Sequence, residues 1–78
     1  MNEENKKTVK GIIARFAKVP PKKINRDTHL VDDLGLDSLV AAIILAKIEK
    51  EFELEIAESD AFSVIYMRDI YKLMDKYL

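Results

Sequence analysis

The chain has 78 residues, of which 49% are apolar and 35% charged, and its formal net charge is −1. With no cysteine and a single histidine, His29, it excludes disulfides, thiolate metal sites and His-rich metal sites, so one small domain over residues 1–78 has to rest on helix packing. The longest apolar run, Leu39 to Ala46, falls far short of the ~20 residues that a membrane-spanning helix requires.

The opening residues Met1-Asn2-Glu3-Glu4 lack the basic-then-apolar order of a signal peptide, and the expected compartment is the cytoplasm. Charge is unevenly placed: residues 1–26 carry eight Lys/Arg against two Glu, residues 27–78 five against twelve Asp/Glu. A basic first part is compatible with nucleic-acid binding, but the net charge and the acidic remainder favour a solvated helix face, with no nucleic acid as partner.

Val9, Ile12, Ile13 and Phe16 fall at i, i+3, i+4 and i+7, which predicts a first amphipathic helix with Lys6, Lys7, Lys10 and Arg15 on its other side. It should end before Pro20-Pro21, since proline lacks an N–H and restricts its predecessor. From Val19 to Asp37 runs a long connection rich in turn residues, yet Ile24, Leu30, Val31, Leu34 and Leu36 punctuate it. Such spacing predicts an ordered loop pinned to the bundle. Asp37 is a good N-cap for a second helix from Ser38 to about Phe52, with Ala41, Ile44, Leu45, Ile48 and Phe52 as its core stripe. A break over Ile56–Asp60, a helical turn or two within Ala61–Ile65, and a last helix from near Tyr66 with Met67, Ile70, Tyr71, Met74 and Leu78 on one face complete an all-α bundle of three longer helices and one short one.

The segment that carries chemistry is Asp33-Leu34-Gly35-Leu36-Asp37-Ser38-Leu39, where the long loop meets the second helix. Here the sequence resembles the acyl carrier protein family, whose hallmark is an Asp-Ser-Leu attachment site preceded by Leu-Gly-x. The likeness extends over nearly the whole chain, through Asp27-Thr28-x-Leu30, Glu49-x-Glu51-Phe52 and Ile56. It implies a four-helix carrier fold without catalytic activity of its own. It also implies 4'-phosphopantetheine, derived from coenzyme A, on Ser38, with Asp37 and Leu39 as flanking motif. Asp37 would also contact the phosphopantetheinyl transferase or its metal ion. Leu34, Leu36 and Leu39 are expected to anchor the serine, and the phosphodiester would sit at a helix N-terminus, which favours an anion.

One departure from the family stands out. Acidic residues that typically dock partner enzymes are replaced by Val40 and Ile43, and Lys47 and Lys50 continue that face at i+7 and i+10. Val40, Ile43 and Lys47 are therefore the expected partner contacts. The pattern suggests a monomeric carrier for a specialised branch of fatty acid, polyketide or related lipid biosynthesis, with its own acyl-loading, condensing or acyl-transfer enzymes. By resemblance, Ile44, Ile48, Phe62, Val64, Met67, Ile70 and Met74 would line a pocket for the acyl chain, while His29 reads as an exposed loop residue and the tyrosines as core edge. An aminoacyl or peptidyl carrier is the nearest rival, and a helical protein-binding module with only the carrier fold is a rival of another class. A calcium-binding loop from Asp32 fails, because Leu34, Leu36 and Val40 cannot ligate the ion. No nucleophile–base pair or metal ligand set suggests an enzyme.

Overall fold

The computed structural model describes residues 1–78. Helix α1 spans Glu3–Ala17. Asn2 starts it, its side-chain oxygen accepting the Asn5 N–H at 2.7 Å, with Glu3 and Glu4 at the positive end of the helix dipole. Val9, Ile13 and Ala14 face inward. The helix stops at Lys18, whose left-handed backbone (φ 59°) turns the N–H groups of Lys18 and Val19 back to the Ala14 carbonyl. It thus ends before the prolines, as the sequence predicts, and a single 3-10 turn over Pro21–Lys23 follows.

The connection to the second helix is ordered by buried anchors. Ile24, Thr28, Leu30 and Leu36 are all buried. Thr28 Oγ1 accepts the Asn25 N–H at 2.9 Å, and the Thr28 N–H donates to the Asn25 carbonyl, so the buried hydroxyl is not left unpaired. Residues 26–30 then lie antiparallel to residues 65–68. The Leu30 N–H donates to the Ile65 carbonyl, and the N–H groups of Met67 and Arg68 donate to the carbonyls of Thr28 and Arg26, all at 3.0 Å. His29 and Tyr66 form an isolated antiparallel bridge there. Gly35, at φ +67°, makes the last turn before the helix, a conformation that L side chains rarely adopt.

Helix α2 covers Ser38–Phe52, as expected, with Ile44 and Ile48 buried and Ala41, Leu45 and Phe52 half-buried. Glu53 closes it in the left-handed region (φ 54°), and the Glu49 carboxylate accepts the Ile56 N–H at 2.8 Å. Helix α3 occupies Glu58–Ala61, in place of the expected break over 56–60 and helical turn within 61–65. The reason is tertiary. This turn has no side-chain cap of its own, and its hold comes from the far end of the chain. The Ala57 N–H donates to Tyr77 Oη at 2.8 Å, while Tyr77 Oη and Lys76 Nζ both donate to the Asp60 carboxylate, at 2.6 and 2.8 Å.

Helix α4 spans Met67–Tyr77, and Met67, Ile70, Leu73 and Met74 are its buried residues. Leu78 lies past its end and is exposed, so Leu73 occupies the face to which the sequence assigned Leu78. Asp69 reaches back from the first turn to accept the N–H groups of Tyr66 and Ile65 at 2.8 and 3.0 Å, which caps the helix from within. The four helices and the loop share one core, centred on Val9, Ile13, Ile24, Ile48, Met67 and Met74, each essentially inaccessible to water.

Candidate functional site

Ser38 is the first residue of α2. Its N-cap is Asp37, whose Oδ1 accepts the Val40 N–H at 2.8 Å and whose carbonyl accepts the Ala41 N–H at 2.9 Å. The second is the first i→i−4 bond of the helix, and the first satisfies one of the four N–H groups that a helix start leaves without intrahelical partners. The N–H groups of Ser38 and Leu39 point out of the helix end with no acceptor in the chain. The Ser38 side chain is exposed and makes no hydrogen bond within the protein. An exposed hydroxyl beside two free N–H donors suits a residue that is to carry a phosphodiester.

The support beneath Ser38 differs in part from the expected set. Leu36 is buried and Leu34 half-buried against the core, and both anchor the approach to the helix. Leu39 does not: its side chain is 71% exposed, because the first turn of α2 rotates that position away from α1. What replaces it as an anchor is His29. Its Nδ1 accepts the N–H groups of Val31 and Asp32 at 3.2 and 2.9 Å, and its own N–H donates to the Asp33 carboxylate at 2.7 Å. The ring also meets Tyr66 edge-to-face at 5.1 Å. The expected free loop residue is therefore the cap of the turn 29–35 that delivers the Asp-Ser motif. Two N–H donors at Nδ1 require the ring proton to be at Nε2 when the histidine is neutral. Its signal in the sequence was an acceptor-bearing side chain three residues ahead of Asp32. Histidine is not among the usual caps, which is why the pattern does not announce itself.

The surface of α2 beyond Ser38 departs from the expected contact set in one residue. Val40 is half-buried and packs against the core, whereas Ile43 is 41% exposed and Lys47 is exposed too. The exposed stripe is Leu39, Ala42, Ile43, Ala46, Lys47 and Lys50. It holds no acid.

Between α2 and the loop–α3 side lies an apolar cavity of about 330 Å³. Ala41, Ile44 and Leu45 form its α2 wall, Leu30, Val31 and Leu36 its loop wall, and Ala61, Val64, Ile65 and Ile70 the opposite side; His29 is its one polar lining residue. Of the expected lining, Ile44, Val64 and Ile70 are present. Ile48, Met67 and Met74 are instead close-packed core, and Phe62 is 80% exposed outside the cavity, since the shift of α3 toward the N-terminus turns that ring to solvent. No cluster of three or more His, Asp or Glu side chains is placed to hold a metal ion, and no helix is long and apolar enough to cross a membrane.

Residues 7–65 match the phosphopantetheine attachment site family. The acyl carrier protein of Bdellovibrio bacteriovorus is 35% identical over 68 residues, which are 87% of each chain. That of Campylobacter jejuni subsp. doylei is 30% identical over 67 residues, covering 86% of this chain and 87% of its own. The solved structure of a chain assigned as an acyl carrier protein, from Mycobacterium tuberculosis, superposes with a TM-score of 0.87 at 27% identity, over 95% of this chain and 99% of that one. Proteins with this domain hold a covalently attached 4'-phosphopantetheine and work with partner enzymes as carriers, without catalysis of their own. Helix order, a serine-bearing motif at the start of α2 and these matches together place the chain in the acyl carrier protein family.

Proposed function

We propose that Ser38 is the attachment residue and that the protein carries acyl intermediates as thioesters for a specialised branch of lipid or polyketide biosynthesis. The observation that carries this is the exposed, unbonded Ser38 hydroxyl at the first position of α2, inside Asp33-Leu34-Gly35-Leu36-Asp37-Ser38-Leu39. In attachment, a phosphopantetheinyl transferase joins the Ser38 oxygen to a phosphorus of the coenzyme A pyrophosphate, the adenosine half leaves, and the hydroxyl proton is released. Once bound, the arm supplies a terminal thiol that holds the acyl group. The residues of the chain do the rest. Asp37 keeps the first turn of α2 wound, and the free N–H groups of Ser38 and Leu39 stabilise negative charge at the attachment point. Leu36 and the His29 cap hold the approach still, and the cavity walled by Ala41, Ile44 and Leu45 offers the cargo a place out of water.

The specialised setting rests on the exposed stripe of α2. Toward the end of the helix Glu49 is turned away to bind the Ile56 N–H, which leaves Glu51 as the exposed acid of α2. In the loop, Asp33 is similarly engaged by the His29 N–H. Enzymes that read an acidic carrier helix would therefore find little to hold, and Ile43→Glu is expected to raise turnover by general fatty-acid enzymes. The reading as a whole is tested by incubating the protein with coenzyme A and a broad-specificity transferase and measuring intact mass. One added phosphopantetheine, absent in Ser38→Ala, supports it. A folded wild type that gains no mass would overturn it and favour a binding module with only the carrier fold.

A further inference from the structure

On the side of α2 away from the acyl cavity, Arg15, Lys47 and Lys50 converge on a groove of about 510 Å³ between α1 and α2. Ile12 and Phe16, both half-buried, form its apolar part, and Glu51 is its single acid. Of the thirteen Lys/Arg, only Lys6, Arg68 and Lys76 make ion pairs, with Glu3, Asp27 and Asp60. Arg15, Lys47 and Lys50 make no ion pair and no side-chain hydrogen bond. Three cations gathered in one groove against a single carboxylate, Glu51, leave it with a net positive charge, although the chain has fourteen carboxylates to place.

The groove is continuous with the surface that a partner must cover to reach Ser38. Leu39, Ala42, Ile43, Ala46 and Lys47 follow one another at spacings of one, three or four residues along one exposed face. At a rise of 1.5 Å per residue, Lys47 and Lys50 stand roughly 14 and 18 Å along the helix from Ser38. A protein footprint of ordinary size spans that distance.

Resting on the carrier reading of Ser38, we propose that the α1–α2 groove docks an acidic segment of the partner enzyme, one with two or three carboxylates flanking an aliphatic or aromatic side chain. The carboxylates pair with Arg15, Lys47 and Lys50, and the apolar side chain covers Ile12 and Phe16. Helix α1 then takes part in partner choice alongside α2. A partner whose contact surface is basic is repelled, so the groove selects by what it refuses as well as by what it holds.

The test uses the isotope-labelled full chain and the synthetic peptide Glu-Glu-Leu-Glu-Asp-Phe-Glu-Glu, with Lys-Lys-Leu-Lys-Lys-Phe-Lys-Lys as its charge-reversed control, followed by NMR. Amide shifts at Ile12, Arg15, Phe16, Lys47 and Lys50 with the acidic peptide alone are expected. The triple change Arg15→Glu, Lys47→Glu, Lys50→Glu, all at exposed positions, should weaken binding at least about tenfold; Lys50→Glu alone serves if the triple variant loses helicity. No shifts, equal shifts with the basic peptide, or shifts centred on the cavity around Ile44 would overturn the proposal. So would binding of anionic phosphatidylglycerol vesicles or duplex DNA through the same three cations in preference to the peptide. Transferase labelling of the same sample separates the two readings: a labelled chain that ignores the acidic peptide sinks only the groove, and an unlabelled one sinks the carrier assignment.

Discussion

Two connections flank α2, and they are built differently. The one before it, residues 18–37, is held by buried side chains: Ile24, Thr28, Leu30 and Leu36 reach the core, and its backbone is laced to residues 65–68. The one after it, residues 53–66, sinks no side chain fully; Leu54, Ile56 and Val64 are half-buried, and Phe62 and Ile65 are exposed. Its order comes from charged groups: Glu49 on the Ile56 N–H, Lys76 and Tyr77 on Asp60, and Asp69 on the N–H groups of Ile65 and Tyr66. Apolar anchors are indifferent to pH and cooperative with the core, whereas charged clasps are individually weak and open one at a time. The side that presents Ser38 is thus the stiffer, and the side that walls the cavity through Ala61, Val64 and Ile65 is the more easily opened.

This contrast can be broken at either connection, and the largest effect is expected at the first. Leu36→Ala removes a buried anchor and should lower stability by about 2–4 kcal/mol in denaturant unfolding. A loss below 1 kcal/mol would mean that the loop is not fastened by its apolar residues. At the same connection, His29→Ala leaves the N–H groups of Val31 and Asp32 without their acceptor and should cost about 1 kcal/mol. His29→Ser, which restores a capping oxygen, should recover most of it.

Acid probes the clasps of the second connection without mutation. Hydrogen bonds from Lys76 and Tyr77 hold the Asp60 carboxyl below its ordinary value. For Asp69, burial pushes upward, but the N–H groups of Tyr66 and Ile65, with Arg68 and Lys72 nearby, outweigh it and the net shift is also downward. A carboxyl lowered by folding stabilises fully above its unfolded value and loses that contribution as pH falls through the folded one. NMR should therefore show residues 57–66 unchanged down to the ordinary aspartate value of 3.8 and loosening below it. The smallest effect belongs to Phe62→Ser: at so exposed a position, stability should move by no more than about 0.5 kcal/mol.

Much of the molecule was legible before folding. The stripe Val9, Ile12, Ile13, Phe16 specified α1, Asp37 specified the start of α2, and the spaced apolar residues of the long loop specified that it would be ordered. These are local signals, a periodicity or a cap, and neighbours in sequence are enough to express them. The motif around Ser38 belongs to the same class, since its exposure follows from one cap and one helix turn. The places where the sequence misled share another origin. Helix α3 moved toward the N-terminus because Asp60 and Ala57 are held by Lys76 and Tyr77, and Phe62 left the cavity with that shift. His29 became a cap because the turn 29–35 folds back onto its ring. Leu39 and Val40 exchanged their expected exposure because the roll of α2 about its axis is set by α1 and not by its own apolar pattern, which runs nearly all round the first three turns. Periodicity determined which helices form, and only the packing of one against another decided which face each shows to water.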